Sequence, residues 1–445
     1  MRPQRYLLPL ISLLVAQTSF ARYEVHEWGT FTSLIGSNGL TQHGMYHEDE
    51  ALPDFVHGFG AIQSFGSLPT PPPQNCVSFK ICPDFLRNNI VSQKMETPVI
   101  YFYSDQEREV RVNVRFPQGI VTETFPAPIR TSPTPETMVK MENGETTFAV
   151  HVTTKTDGNT GIQLPNNLMN GISYVPPIPY ADPNNIYSHA RNVNSNIIYS
   201  GREQEKFIFY RGLGRFQPRL QITSLGEQIQ IMTPPGAEPL GAFLIYSDGS
   251  EHRAVNLGKL NPAQVSVISE HVIRALKGQK SDYPVLTQEG GQIRRALHES
   301  LMHAGLYVDE ANAMLNTWEN GYLRTPGLRL LYILPRQEVD QILPLFITPA
   351  PESLARVFIG RIEILLQHDE VQVLRQIRIL KDQFSVQSLG RMAEPILRRV
   401  YEVYLAQTQE SNQKPNPDMV RVFEGLIEKA VTQNEQSLSS NSGIN

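Results

Sequence analysis

Four of the chain's eleven histidines, His26, His43, His47 and His57, fall close to its start among the carboxylates Glu27 and Glu48-Asp49-Glu50. Imidazole and carboxylate groups bind zinc and similar divalent ions, and imidazole also moves protons near neutral pH. His43 and His47 have the i, i+4 spacing that puts two rings on one side of a helical turn. Glu50 would share the side of His47 if a short helix covers Met45 to Leu52. His26 and His57 could join them only through the tertiary fold. The candidate metal ligands are therefore His26, His43, His47, Glu50 and His57, with a divalent ion such as zinc as the cofactor. The competing reading is a polar, glycine-flanked surface loop in which the histidines are incidental.

A second candidate is the run Tyr23-Glu24-Val25-His26-Glu27-Trp28-Gly29-Thr30-Phe31-Thr32-Ser33, which holds one of two tryptophans. Its Val, Trp, Phe and Thr content predicts a strand. On a strand, His26, Trp28, Thr30 and Thr32 share one face, and Val25, Glu27 and Phe31 share the other. His26 and Glu27 can then reach one ligand only if Gly29 hosts a bulge. With Glu96 they form the candidate pocket His26, Glu27, Trp28 and Glu96.

Other chemistries find less support. The chain has no Gly-x-Ser-x-Gly elbow and no phosphate-cradling glycine loop. His298 and His303 resemble a zinc-protease helix but lie five residues apart, so they diverge by about 140° on a helix and read as surface and cap residues. Tyr101, Tyr103, Tyr199, Tyr210, Phe102, Phe207 and Phe209 could form a sugar-stacking platform, although aromatics in strands usually form the core. Glu96, Glu203 and Glu205 could act as acids, with Arg191, Arg202 and Arg211 as their ion-pair partners.

These residues must be positioned by a chain of 445 residues, long enough for two or three domains. Its 19% charged and 40% hydrophobic residues describe a globular protein, and its 33 prolines imply many turns. A net charge of -5 argues against nucleic-acid binding. Residues 1–21 read as an export signal, with Arg2 and Arg5 before the apolar Leu7–Val15 and a small-residue cleavage site at Ser19-Phe20-Ala21. No later run is apolar enough to span a membrane, so the expected mature protein is soluble and periplasmic or secreted. Cys76 and Cys82, the only cysteines, form a lone close pair that suggests a disulfide bond in an oxidising compartment; free buried thiols are the alternative.

Period-2 hydrophobicity from residue 22 to about 260 predicts an antiparallel, sandwich-like β domain. Within it, Val99–Tyr103 and Val110–Phe116 read as a hairpin, and Asn143-Gly144 reads as a hairpin turn. Asn261-Pro262 reads as the cap of a helix ending at Gly278, opening a mainly helical domain over 261–433 with a few strands. Its elements are an αα pair broken at Gly305, strands at Leu328–Leu334 and Arg356–Leu365, and helices at 369–384, 388–407 and 417–432. Residues 434–445 read as a disordered tail. The expected class is α+β, mainly β in the N-terminal part and mainly α in the C-terminal part.

Several segments together resemble an uncharacterised group of exported bacterial proteins that open with Val-His-Glu-Trp-Gly-Thr-Phe-Thr-Ser. The matching pieces are Val25 to Ser33, Lys94 to Ser104, Glu205 to Gly212, and Leu331 to Arg336 through Leu345 to Pro349. The resemblance implies export and a shared fold, and it supplies no catalytic residue. The expected function is a binding or structural role in the envelope or outside the cell, with a protein or glycan partner. The alternative is a metal-dependent hydrolase acting on envelope or extracellular polymers.

Overall fold

The computed structural model describes residues 22–47, 51–59, 90–134, 137–138, 140–164, 173–235, 240–280, 287–289 and 291–440. The expected leader (1–21), Glu50, and the Cys76 and Cys82 pair lie outside the described residues.

The molecule is built around a nine-stranded sheet. Its strands are β1 (Tyr23–Ile35), β2 (Gln93–Ser104), β3 (Gly119–Phe125), β4 (Ile208–Gly214), β5 (Leu240–Ser247), β6 (His252–Leu260), β7 (Gln288–Glu289), β8 (Gly327–Ile333) and β9 (Ser353–Ile364). Across the sheet the order is β7-β6-β5-β8-β9-β1-β2-β4-β3. β1 runs parallel to β9 and antiparallel to β2. Strand β1 is therefore interior and carries partners along both edges. Every residue from Val25 to Ile35 is buried, which suits a β-branched and aromatic run covered on both faces.

One face of the sheet packs on a six-stranded sheet that includes Arg108–Phe116 and Gly144–Val152. Val25, Phe31, Ile100 and Phe102 meet Val112, Val114, Phe148 and Val150 in that core. The other face carries α1 (Gly291–His303) and α2 (Val308–Glu319). There Trp28, Tyr101 and Val357 pack with Leu297, Leu301, Met314 and Trp318. The chain ends in α3 (Gln367–Leu380), α4 (Ala393–Glu410) and α5 (Pro417–Ser440), whose own core includes Leu374, Leu397, Val400, Phe423 and Leu426. This is an α+β fold, mostly β first and helical with inserted strands afterwards.

Three expected elements are corrected. Val99–Tyr103 and Val110–Phe116 do not pair: β2 stays in the central sheet, and Arg108–Phe116 crosses to the second sheet to pair with Gly144–Val152 and Leu345–Thr348. Burial explains the separation. β2 is buried at all 12 positions, whereas Arg108–Phe116 alternates between buried and wetter residues and needs one face towards solvent. Asn143 has the positive φ, 58°, expected of an Asn-Gly turn, yet the strand after it pairs with Arg108–Phe116. Val265–Ile268 is a strand paired with Gln228–Met232, and the helix expected from residue 262 begins only at Glu270. Its valines alternate outward, a period-2 signal hidden inside an apparently helical one.

The central sheet also crosses the boundary expected near residue 261, because β8 and β9 sit between β5 and β1. The last helix, α5, runs to Ser440, into the segment expected to be disordered.

Candidate functional site: the polar groups of the first strand

A bulge in β2 sets the faces of this region. Trp28 pairs with Val99 and Thr30 with Glu96, so Thr97 and Pro98 both oppose Gly29. Thr97 has φ 43°. A Cβ on Gly29 would stand 2.7 Å from the Phe358 ring and 3.0 Å from the Pro98 ring, which leaves room only for glycine. The bulge reverses the alternation of β2. Val99 and Tyr101 face the helices above it; below it Met95 turns to the sandwich core, and Lys94 and Glu96 take the helical side. β1 keeps its own alternation throughout. His26 and Glu27 therefore stay on opposite faces, and the candidate pocket residues do not converge on one point.

His26, Glu27, Thr30 and Thr32 of β1 instead each have a distant partner of their own. Glu310 Oε2 lies 2.8 Å from His26 Nδ1 and accepts its N–H, while Tyr103 donates its hydroxyl to Glu310 Oε1 at 2.7 Å. The same carboxylate accepts the Tyr307 backbone N–H at 2.7 Å, which satisfies a donor at the start of α2. Burial, and then the Glu310 charge, push the Tyr103 hydroxyl far above its ordinary value, so it remains a donor. On the opposite face Glu27 accepts from Arg356 Nε at 2.5 Å and from the Tyr210 hydroxyl. Arg356 also reaches Asp340 at 2.7 Å. Thr30 meets the Tyr322 hydroxyl at 2.6 Å, and Trp28 is wholly buried.

At the far end of the strand Thr32 donates to Glu96. Glu96 also accepts from Arg391 at 2.7 Å, with Arg211 at 4.0 Å. On the same face Glu363 binds Arg329 at 3.0 Å and Arg361 at 2.7 Å. Burial pushes the Glu96 carboxyl up, but Arg391 and Lys94 outweigh it and hold the group well below the usual carboxylate range. Glu363 is lowered in the same way, with Arg329 and Arg361 overcoming its burial. These are charges that the fold pairs in its interior, where an unpaired one would be costly.

The remaining histidines are dispersed. His47 Nε2 lies 3.2 Å from Glu394, a carboxylate that also accepts from Tyr46 at 2.6 Å and Arg398 at 2.9 Å. His57 pairs with Glu203, which accepts the Ala127 N–H as well. His43 is exposed. Among the described residues no three His, Cys, Asp or Glu side chains converge on a metal position. His298 and His303 contact the backbone carbonyls of Val308 and Glu299, as expected of helix-surface residues. The strand aromatics are core: Tyr101, Phe102, Phe207 and Tyr210 are wholly buried.

A different region is open. The loop Thr156–Asn159 and the loop Ile178–Ala181 enclose a cleft of about 580 Å³ together with Arg191 and Lys206. The loops meet where Ile178 N donates to Gly158 O, and a Cβ on Gly158 would stand 2.3 Å from Ile178. Tyr180 stands at the rim, 81% exposed. Arg191 is anchored by Glu205 at 2.7 Å, and Lys206 Nζ donates to Val193 O at 2.8 Å. Burial outweighs Arg191 and keeps the Glu205 carboxyl above its ordinary value.

The sequence offers Arg191, Arg202 and Arg211 as partners of Glu96, Glu203 and Glu205 without matching them. The structure pairs Arg191 with Glu205, brings Arg211 to 4.0 Å from Glu96 and pairs Glu203 with His57. It adds Glu310, Arg356, Arg391 and Tyr180, which the sequence reading missed. Glu310 carried one signal, its place three residues after Tyr307 at a helix start. Tyr180 carried another, as a lone aromatic ending the proline-rich run Pro176-Pro177-Ile178-Pro179. Arg391 gave none, because only tertiary folding brings it to Glu96. No family model and no curated protein matches the chain.

Proposed function

We propose that the protein is an exported envelope or extracellular binding protein, with the cleft beside Tyr180 as its glycan-binding site and β1 as its scaffold. The carrying observation is the cleft itself: about 580 Å³ rimmed by an aromatic ring with 81% exposure. That volume lies within the usual range for small-ligand sites. Tyr180 and Pro179 offer an apolar surface to the C–H face of a sugar ring. Thr156, Asp157, Asn159 and Lys206 supply the mixed donors and acceptors that hydroxyl groups require. The leader at residues 1–21 and the resemblance to exported bacterial proteins support the compartment.

Calorimetric titration of the purified protein with cellotetraose, maltotetraose and chitotetraose tests the reading. Saturable binding of at least one, weakened about tenfold or more by Tyr180→Ala, is the expected result. The reading fails if none of the three binds, or if Tyr180→Ala binds as tightly as the wild type.

A further inference from the structure

Two cations and one acid line the cleft beside Tyr180: Arg191, Lys206 and Asp157. Arg191 is committed to the fold. Its Nη2 donates to Glu205 at 2.7 Å, its Nε to the same carboxylate at 3.1 Å, and its Nη1 to Pro179 O at 2.9 Å. Lys206, which is half-buried, is committed only in part. Among the described residues its ammonium makes one hydrogen bond, to Val193 O at 2.8 Å, and no ion pair. An ammonium carries three N–H donors, so two remain.

The carboxylates that act on Lys206 are held by other groups. Glu205 Oε1 accepts the Lys206 backbone N–H at 2.8 Å, and its Oε2 accepts from Arg191 and, at 3.1 Å, from the Tyr187 hydroxyl. Asp309 accepts the backbone N–H groups of Asn194 at 2.8 Å and Glu310 at 3.0 Å, and Asp157 accepts that of Asn159 at 3.0 Å. Burial pushes the Lys206 ammonium below its ordinary value, and Glu205, Asp157 and Asp309 offset this only in part. A partly desolvated ammonium with donors left over is completed by an anion from outside.

We propose that the cleft selects acidic saccharides, with Lys206 taking the carboxylate of a hexuronate residue while Tyr180 packs on the sugar face. The inference rests on the glycan reading of the cleft and adds the charge of its ligand. Two carboxylate oxygens match the two N–H donors that Lys206 has left. Asp157 repels an anion, so a carboxylate that binds must sit against Lys206.

Calorimetric titration with tetragalacturonate and tetramannuronate, each beside its fully methyl-esterified form, tests the charge separately from the glycan reading. At least one acid should bind about tenfold or more tighter than its ester in low salt, with the difference shrinking towards about 1 M NaCl. Lys206→Met should reduce that acid-to-ester ratio to within about threefold. Acid selectivity is overturned, and the cleft remains a glycan site, if the esters bind as tightly as the acids or if Lys206→Met keeps the ratio. If a neutral tetrasaccharide binds and neither acid does, the inference fails alone; if nothing binds, it falls together with the glycan reading.

Discussion

The first strand and the Tyr180 cleft differ in a way that inverts their appeal as sequences. The strand carries a histidine, a carboxylate and a tryptophan side by side, yet His26 and Glu27 are buried and engaged by Glu310, Arg356 and Tyr210. The cleft comes from ordinary loop residues, and its aromatic faces water. The electrostatics diverge too: cations hold Glu96 and Glu363 down within the sheet, whereas beneath the cleft burial keeps Glu205 up despite Arg191. Residue type alone does not mark a site; a group already committed to internal partners serves the fold.

The largest effect should come from cutting the strand's buried ion pair. Glu27→Ala removes the buried carboxylate from the Arg356 guanidinium, which is only 1% exposed, and leaves it the half-exposed Asp340 alone. Urea unfolding should show a loss of about 3–5 kcal/mol, and replacing both residues by apolar ones of similar volume should recover much of it. A loss below about 1 kcal/mol would mean that the pair does not organise the sheet.

Acid unfolding sharpens the contrast at the other end of the strand. The folded Glu96 carboxyl is held below its unfolded value, so its stabilisation is fully present above about pH 4.3 and fades as pH falls through the lowered folded value. Glu96→Gln should therefore flatten the acid limb of the stability curve below about pH 4 and lower stability at neutral pH. An unchanged acid limb would show that Arg391 and Lys94 do not hold that carboxylate.

The cleft should behave in the opposite manner. Tyr180→Ala should change unfolding free energy by no more than about 0.5 kcal/mol while weakening glycan binding. A cooperative loss of several kcal/mol would make Tyr180 part of the fold and erase the contrast.

Local pattern made much of the fold legible. Alternation announced the sandwich, Gly305 the break between α1 and α2, and the proline-punctuated strands β8 and β9. Their destination was not legible: nothing in the period of Leu328–Leu334 says that it will insert between β5 and β9, because pairing over such separations is decided by burial of both faces. For the site, the face assignment of His26 and Glu27 followed from period 2, and β1 keeps it. The position of Glu96 did not follow, since it depends on a bulge in the neighbouring strand opposite Gly29. Glu310 lies 284 residues from His26, a distance across which spacing carries no information.

His26, Glu27, Thr30 and Thr32 of β1 are committed to the fold, and a double-mutant cycle on His26 and Glu310 measures that commitment. Unfolding free energies of His26→Gln, Glu310→Gln and the double variant should give a coupling of about 1–3 kcal/mol, as expected for a buried, charge-assisted contact. Additive effects, with His26→Gln as stable as the wild type, would show that the contact does not hold the fold and would return His26 to the candidates for chemistry.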